Sequence, residues 1–235
     1  MKSLVPTGSR RSELFPPSVA LAEADAETVV EFSTAEEREM TGASPHRQEE
    51  FRAGRAAARA ALAALGHSGA TLPRVGRRPL WPTGFVGSIS HCPGLCMAAA
   101  ARERDFQAVG LDVEVRRRVR AHLHDKVCTE TERAWMAAGG HGEETATLLF
   151  SAKEATYKCL NPLTGARLGF GDVEVGVDLD SGTFVATVSA PVSGQLSRLV
   201  GRFAFEADHL LTAVAVAAPP ARRTSHSSPY GHSSP

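Results

Sequence analysis

Residues 109–115 read VGLDVEV, a run in which large apolar residues alternate strictly with glycine and acids. Successive side chains of a β-strand point to opposite faces, so the run predicts a strand whose valines and leucine face a core. Gly110, Asp112 and Glu114 share the other face, where the missing side chain of Gly110 leaves room beside the carboxylates. Residues two apart on one face lie roughly 6.5–7 Å apart at the backbone, so both side chains can reach one hard cation. An ordinary polar strand face would show the same pattern.

A second run, FSAKEATYK at residues 150–158, predicts a helix that carries one carboxylate and two ammonium groups. At about 100° per residue, one broad face collects small and apolar residues, as a packed helix requires. They are Leu148, Leu149, Ala152, Ala155, Thr156, Cys159 and Leu160. Glu154 and Lys158 share the flank of this face one turn apart, so a cation on the carboxylate and a phosphate on the ammonium could belong to one ligand. The alternative is a solvated helix pair worth roughly 0.2–0.5 kcal/mol.

A third pattern, at residues 46–65, predicts a helix with an apolar side and a stripe of arginines about 100° away. Arg52, Arg55 and Arg59 form the stripe, and planar guanidinium groups suit bidentate capture of a phosphate. A solvated helix face is the alternative. A following loop, punctuated by glycine and proline, can bring further side chains together on a ligand. It contains Arg74, Arg77 and Arg78.

These motifs resemble the paired signature of the 4′-phosphopantetheinyl transferases of the Sfp type. GLDVE (110–114) and FSAKE (150–154) with Lys158 carry the resemblance, and PLWP (79–82), GSISHC (87–92) and NPLTG (161–165) extend it. The combination is similar to the bacterial branch that includes enterobactin-synthase component D and actinobacterial enzymes. The motifs keep the family's order from about residue 46 to about residue 218, which is most of the chain.

The resemblance implies a monomer of the α+β class, with two similar lobes in a pseudo-twofold arrangement and the active site in the cleft between them. We place an N-terminal lobe with coenzyme A-binding arginines at residues 1–104 and a C-terminal lobe with metal-binding carboxylates at residues 105–218. The tail, residues 219–235, is low in complexity and is expected to be disordered. Periodicity predicts helices near 47–65, 129–138 and 144–160, and strands near 85–90, 95–101, 108–115, 172–178, 183–189, 201–206 and 210–217.

The resemblance implies an enzyme of the holo-acyl-carrier-protein synthase type. Such an enzyme transfers the 4′-phosphopantetheine arm of coenzyme A to a serine of apo acyl or peptidyl carrier proteins and releases adenosine 3′,5′-bisphosphate. The carriers belong to fatty-acid, polyketide or nonribosomal peptide synthases, including those of siderophore and other secondary-metabolite biosynthesis. In the family, carboxylates matching Asp112, Glu114 and Glu154 hold Mg²⁺, for which Mn²⁺ could substitute. We assign the base role to Glu154, directly or through a water, and expect Lys153 and Lys158 to neutralise phosphate charge.

The resemblance also implies a set of coenzyme contacts. Arg47 and Arg55 are placed on the 3′-phosphate, with Arg59 as a further candidate. Ser90 and His91 are expected to line the nucleotide pocket. In the loop Arg74 is preferred, and Arg77 and Arg78 are alternatives to it.

Composition narrows the class of protein. The 235 residues include 26 basic and 26 acidic side chains, and zero formal net charge argues against non-specific nucleic-acid binding. Neither a membrane span nor a signal-peptide pattern is visible, which predicts a cytoplasmic protein. The cysteines lack the second close Cys/His pair that zinc needs, so reduced thiols are expected.

Two other functional classes stay open. One is a Mg²⁺-dependent phosphohydrolase, and the other is a non-catalytic module that binds nucleotides or carrier proteins.

Overall fold

Two antiparallel sheets, each packed against one long helix, form the framework of the protein in a computed structural model. The structure describes residues 11–24, 32–76, 78–189, 192 and 194–220. Arg77 and tail residues 221–235, for which predictions were made, lie outside these ranges. Helices and antiparallel strands that are largely segregated along the chain confirm the predicted α+β class.

The predicted helices and strands are all present, with ends that differ by a few residues. Strand β1, helices α1 and α3 and the short hairpin β2–β3 were not predicted. In chain order the elements are β1 (Ala20–Ala24), α1 (Thr34–Glu39), α2 (Pro45–Ala64), β2 (Arg74–Val75), β3 (Arg78–Pro79), β4 (Phe85–Cys92), β5 (Leu95–Arg102), β6 (Phe106–Val115), α3 (His124–Val127), α4 (Glu130–Gly139), α5 (Glu143–Thr164), β7 (Val173–Asp178), β8 (Thr183–Val188), β9 (Arg198–Glu206) and β10 (His209–Ala217). Short 3-10 helices lie at Arg11–Glu13, Ala121–Leu123, Phe170–Asp172 and Gly194–Ser197.

The first sheet has the strand order β1-β5-β4 and packs against α2. Strand β5 reads LCMAAAAR, and its alanines, residues 98–101, are fully buried, so α2 can approach the sheet closely. Helix α2 begins with Pro45 after Ser44, whose side chain accepts a hydrogen bond from the Arg47 amide. This N-cap fixes the first turn of α2 and therefore the starting point of the Arg47 side chain.

The second sheet has the order β6-β10-β9-β8-β7 and packs against α5. On one side of β6 the apolar residues Val109, Leu111 and Val113 are buried, as the alternation predicts. The expectation that Gly110 leaves room beside the carboxylates is wrong, because α5 fills that space. A Cβ at Gly110 would overlap the carbonyl oxygen of Ala155, so this glycine permits the close approach of α5.

The two sheets meet where β4 lies beside β6, a contact that we call the sheet seam. The Ser88 hydroxyl accepts a hydrogen bond from the Leu111 amide at 3.0 Å, and the Ser90 hydroxyl accepts one from the Val113 amide at 3.2 Å. Side-chain hydroxyls thus connect strands that belong to different sheets. The predicted boundary near residue 105 falls in the turn between β5 and β6, and the division into two similar lobes stays a prediction.

All four cysteines lie in the described part of the chain and are free thiols. Burial, with further contributions from neighbouring carboxylates, raises the pKa of Cys92 and of Cys96 to about 12, which leaves both poor nucleophiles at neutral pH.

Among the described residues, no helix combines the length and the apolar character that a membrane crossing requires.

Candidate active site

A cavity of about 330 Å³ opens between α2, the sheet seam and α5. Its basic wall comes from α2 and β2, and its acidic wall from β6 and α5. The cavity brings together most of the side chains that the sequence singled out. Its lining residues are Arg47, Glu50, Phe51, Gly54, Arg55, Arg74, Pro79, Ile89, Ser90, His91, Asp112, Glu114, Phe150, Glu154 and Lys158.

On the acidic wall, the Asp112 carboxylate is buried but well supplied with hydrogen-bond donors. Its Oδ1 accepts from Lys158 Nζ at 2.7 Å and from Ser90 Oγ at 2.9 Å, and its Oδ2 accepts from Ser151 Oγ at 2.8 Å. Thr212 Oγ1 lies 2.8 Å from the Ser151 hydroxyl. A buried carboxylate is tolerated when it is paired and hydrogen-bonded in this way.

Glu114 and Glu154 complete the acidic wall. Burial, together with the negative charge of Asp112, raises the pKa of Glu114 to about 7 and raises the pKa of Glu154 above its ordinary value. Like charges that are poorly solvated resist ionisation, so the acidic wall favours any cation that enters it. Within the described ranges, no three His, Cys, Asp or Glu side chains are arranged as a preformed metal site.

Lys153, which the sequence analysis assigned to phosphate charge, does not line the cavity. It is 2% exposed, and its Nζ donates to Glu132 Oε2 at 2.7 Å and to the carbonyls of Val127 and Phe170 at 2.9 Å. These three bonds use all three protons of the ammonium group. The structure therefore corrects the assignment: Lys153 belongs to the core under α5, where it ties α4 and the Phe170 turn to that helix.

Arg55 dominates the basic wall. It is 5% exposed, its guanidinium stacks over the Phe51 ring at 4.2 Å, and its Nε lies 3.9 Å from Glu36 Oε1. Burial lowers the pKa of Arg55 to about 10, so the group is still charged at neutral pH. Its Nε and Nη2 find no hydrogen-bond acceptor among the described residues. Buried donors without a protein acceptor need a partner from solvent or from a ligand, and an anion in the cavity would supply one.

The other arginines divide between the cavity and the surrounding structure. Arg74 lines the cavity, with its Nε 3.3 Å from Glu39 Oε2. Arg59 lies outside it, because its Nη2 donates to both carboxylate oxygens of Glu36 at 2.7 and 2.9 Å. Arg78 is exposed and reaches the carbonyl of Asn161 at 3.4 Å. The structure thus favours Arg74 over Arg78, as the sequence analysis did, but it does not bring Arg59 to the cavity lining.

His91 and Arg47 are held by Glu50, a residue that the sequence analysis did not select. Glu50 Oε2 lies 3.0 Å from Arg47 Nη1, and its Oε1 lies 3.3 Å from His91 Nδ1. Arg47 Nη1 is also 3.4 Å from His91 Nε2. Because arginine only donates, Nε2 must accept and the ring proton sits on Nδ1. Burial lowers the pKa of His91, which agrees with a neutral imidazole.

Two sequence signals would have revealed some of the missed residues. Ser33 and Glu36 form a capping box at the start of α1, a spacing that is legible in sequence and that places Glu36 beside the arginines of α2. Ser151 lies within the FSAKE motif but received no role. Thr129 and Glu132 form the same kind of capping box at the start of α4, and Glu50 follows Arg47 by one helical turn, so these acids also carry a local signal. The sequence does not show their contacts with Lys153 and His91, because those partners lie on other elements.

Across this cavity a buried arginine faces a wall of carboxylates, an arrangement that suits a phosphorylated ligand together with a cation. Comparison with known families specifies the class of protein. The model of the 4′-phosphopantetheinyl transferase N-terminal domain matches residues 35–101, and the model of the 4′-phosphopantetheinyl transferase superfamily matches residues 108–214.

Individual relatives agree with the family models. The chain is 43% identical over 187 residues to the 4′-phosphopantetheinyl transferase Svp of Streptomyces mobaraensis, covering 75% of each chain. It is 36% identical over 181 residues to the transferase PptT of Mycobacterium tuberculosis, covering 72% of this chain and 78% of the relative. Enterobactin synthase component D of Escherichia coli is 35% identical over 142 residues, or 58% of this chain and 65% of the relative. The chain belongs to the 4′-phosphopantetheinyl transferase superfamily, which confirms the predicted family.

Proposed function

We propose that the protein transfers the 4′-phosphopantetheine arm of coenzyme A to a serine of apo carrier proteins, and that the cavity between α2 and α5 is its active site. Family membership supports the reaction type. The observation that carries the assignment of the site is the cavity itself, in which Arg55 on one wall faces the same space as Asp112 and Glu154 on the other. Coenzyme A, with its pyrophosphate and 3′-phosphate, has the charge distribution that such a cavity suits.

The basic wall is proposed to hold the nucleotide end of coenzyme A. The unused donors of Arg55 are best satisfied by a phosphate, and Arg47 is close enough to the same cavity to share the 3′-phosphate. Arg74 is the loop contact. His91, neutral and oriented by Glu50, lines the pocket beside them. Arg59 supports the wall through Glu36 without contacting the coenzyme.

The acidic wall is proposed to hold Mg²⁺, or Mn²⁺ in its place, through Asp112, Glu114 and Glu154. The residues fit such an ion because all three donors are carboxylates, which hard cations prefer, and because burial and mutual repulsion raise the pKa of Glu114 and of Glu154. When bound, the ion would neutralise charge on the pyrophosphate oxygens.

The side chains of α5 then serve the transfer. The carrier serine oxygen forms a bond to the pantetheine-side phosphorus, the pyrophosphate bond breaks, and adenosine 3′,5′-bisphosphate leaves with the electron pair. The raised pKa of Glu154 suits it to accept the serine proton, directly or through a water. The Lys158 ammonium, which lines the cavity, neutralises charge that develops on the phosphates.

A panel of apo carrier proteins, incubated with coenzyme A and Mg²⁺ and then weighed intact, tests this function. Wild type should add the phosphopantetheine mass to at least one carrier. Glu154→Gln should transfer far more slowly while its calorimetric affinity for coenzyme A changes little, because the basic wall carries the nucleotide. Glu174→Gln, a change at an exposed acid on β7, is the matched control.

Two outcomes would overturn the proposal. Release of adenosine bisphosphate without a carrier, at the rate of the carrier reaction, would identify a phosphohydrolase. Coenzyme binding without modification of any carrier would identify a binding module.

We also propose a cytoplasmic monomer that serves carriers of secondary-metabolite pathways, siderophore synthesis among them. The pathway rests on the name of the enterobactin relative. The free, unreactive cysteines support a reducing compartment. A cavity with both walls supplied by one chain supports a monomer, since no second copy is needed to complete it.

A further inference from the structure

The hydroxyl of Ser90 is the atom at which the sheet seam meets the acidic wall. It accepts hydrogen bonds from the Val113 amide at 3.2 Å and from Lys158 Nζ at 2.8 Å, and it donates to Asp112 Oδ1 at 2.9 Å. A hydroxyl offers one proton and two lone pairs, so these bonds use its whole capacity. Ser90 is also 4% exposed. Its hydroxyl is therefore not available to a nucleotide, although the residue borders the cavity.

Ser88 provides a comparison two residues earlier on the same face of β4. Its hydroxyl accepts from the Leu111 amide at 3.0 Å and donates to the Leu111 carbonyl at 3.4 Å. Both serines are buried and both connect β4 to the β6 backbone. The bonds of Ser88 all go to backbone, whereas those of Ser90 also go to the charged groups of Asp112 and Lys158.

We propose that Ser90 is a positioning residue of the transfer reaction, which holds the Lys158 ammonium and the Asp112 carboxylate in fixed relation across the sheet seam. The inference rests on the proposed function of those two residues. It replaces the expectation that Ser90 contacts the coenzyme. Each member of the trio stands on a different element: Ser90 on β4, Asp112 on β6 and Lys158 on α5.

The need for such a residue follows from the side chain of Lys158. A lysine side chain is long and has many rotamers, and this one is 26% exposed at its end of the cavity. With Asp112 Oδ1 as its only acceptor, the ammonium could change direction by pivoting on that single hydrogen bond. A second acceptor from another strand fixes its direction, so that one face of the ammonium stays turned to the cavity.

Unfolding measurements test the connection without reference to catalysis. We would prepare Ser90→Ala, Ser88→Ala and Lys158→Met, with each serine change also combined with the lysine change. The shifts in urea midpoint should be non-additive for Ser90 with Lys158 and additive for Ser88 with Lys158, since only the first pair shares a hydrogen bond. Additive shifts for both pairs would overturn the proposal.

Kinetics test the positioning role. Ser90→Ala should lower kcat for carrier modification by about 10-fold or more while KM for coenzyme A stays within about 2-fold, because binding is carried by the basic wall. Ser88→Ala should keep kcat near that of wild type, although it too removes a hydrogen bond between β4 and β6. A rise in KM at constant kcat would make Ser90 a nucleotide contact, and an equal loss of kcat in both variants would assign the effect to the seam alone. Either result refutes the proposal.

The two measurements also separate this inference from the function on which it rests. If wild type modified no carrier, the proposed function would fail, whereas the unfolding cycle would still show whether Ser90 couples Lys158 to the seam.

Discussion

Replacing Lys153 by methionine tests whether this motif lysine is structural. Lys153 and Glu132 are each 2% exposed, and the ammonium makes three hydrogen bonds of 2.7–2.9 Å. Methionine keeps much of the length of the side chain but leaves the Glu132 carboxylate buried without its counter-ion. Breaking a buried ion pair in this way costs about 3–5 kcal/mol, a large part of the roughly 5–15 kcal/mol that stabilises a typical domain. We therefore expect Lys153→Met to lower the free energy of unfolding by that amount.

Urea denaturation followed by circular dichroism measures the loss. Lys126→Met, at an exposed position on α3, is the control and should change stability by less than about 0.5 kcal/mol. Adding Glu132→Gln to Lys153→Met should recover part of the loss, because it removes the orphaned charge. A Lys153→Met protein that unfolds like wild type but has lost kcat would refute the argument and return Lys153 to the chemistry.

Three further predictions follow from the two walls and from the packing of α5. Wild type should prefer coenzyme A over its 3′-dephospho form, and Arg55→Ala should reduce that preference by about 10-fold or more, because hydrogen bonds to charged groups contribute about 1.5–3 kcal/mol. Calorimetry with both ligands measures this, and equal weakening of both would make Arg55 purely structural. The folded pKa of Glu114, about 7, exceeds its ordinary 4.5, so stability falls as pH rises through that interval. Glu114→Gln should therefore raise the free energy of unfolding at pH 8 but not at pH 4, and an equal change at both would contradict the pKa assignment. Gly110→Ala should cost about 1–3 kcal/mol in urea unfolding, since its Cβ would overlap the Ala155 carbonyl; an unchanged midpoint would show that α5 can move aside.

The elements that form the acidic wall could be predicted because their signals are local. Alternation in residues 109–115 and the 3.6-residue period around Glu154 each depend on neighbours in the chain. The sequence does not show in the same way which of Lys153 and Lys158 lines the cavity. They are five positions, or about 140°, apart around one helix, so at most one can face the cavity. The partner that buries Lys153 is Glu132, on a different helix.

The basic wall shows the same limit. Arg55 and Arg59 lie one turn apart on α2 and look equivalent in sequence. What separates them is Glu36 on α1, a helix that was not predicted. Its carboxylate accepts hydrogen bonds from Arg59, Ser33 and Leu72, whereas Arg55 Nε stays 3.9 Å away and finds no acceptor among the described residues. Long-range pairing of charges, rather than periodicity, decides which arginine is free to meet a ligand.

Two nitrogens of the Arg55 guanidinium find no hydrogen-bond acceptor among the described residues, and this has a consequence for the lifetime of the protein. Buried donors without acceptors make the native state less stable than its packing alone would allow. An anion that satisfies them binds the native chain and not the unfolded one, so by mass action it raises the folded fraction. Under the proposed function, coenzyme A is this anion and would stabilise the enzyme that uses it. Turnover of the protein by cellular proteases would slow when the coenzyme is plentiful and quicken when it is scarce.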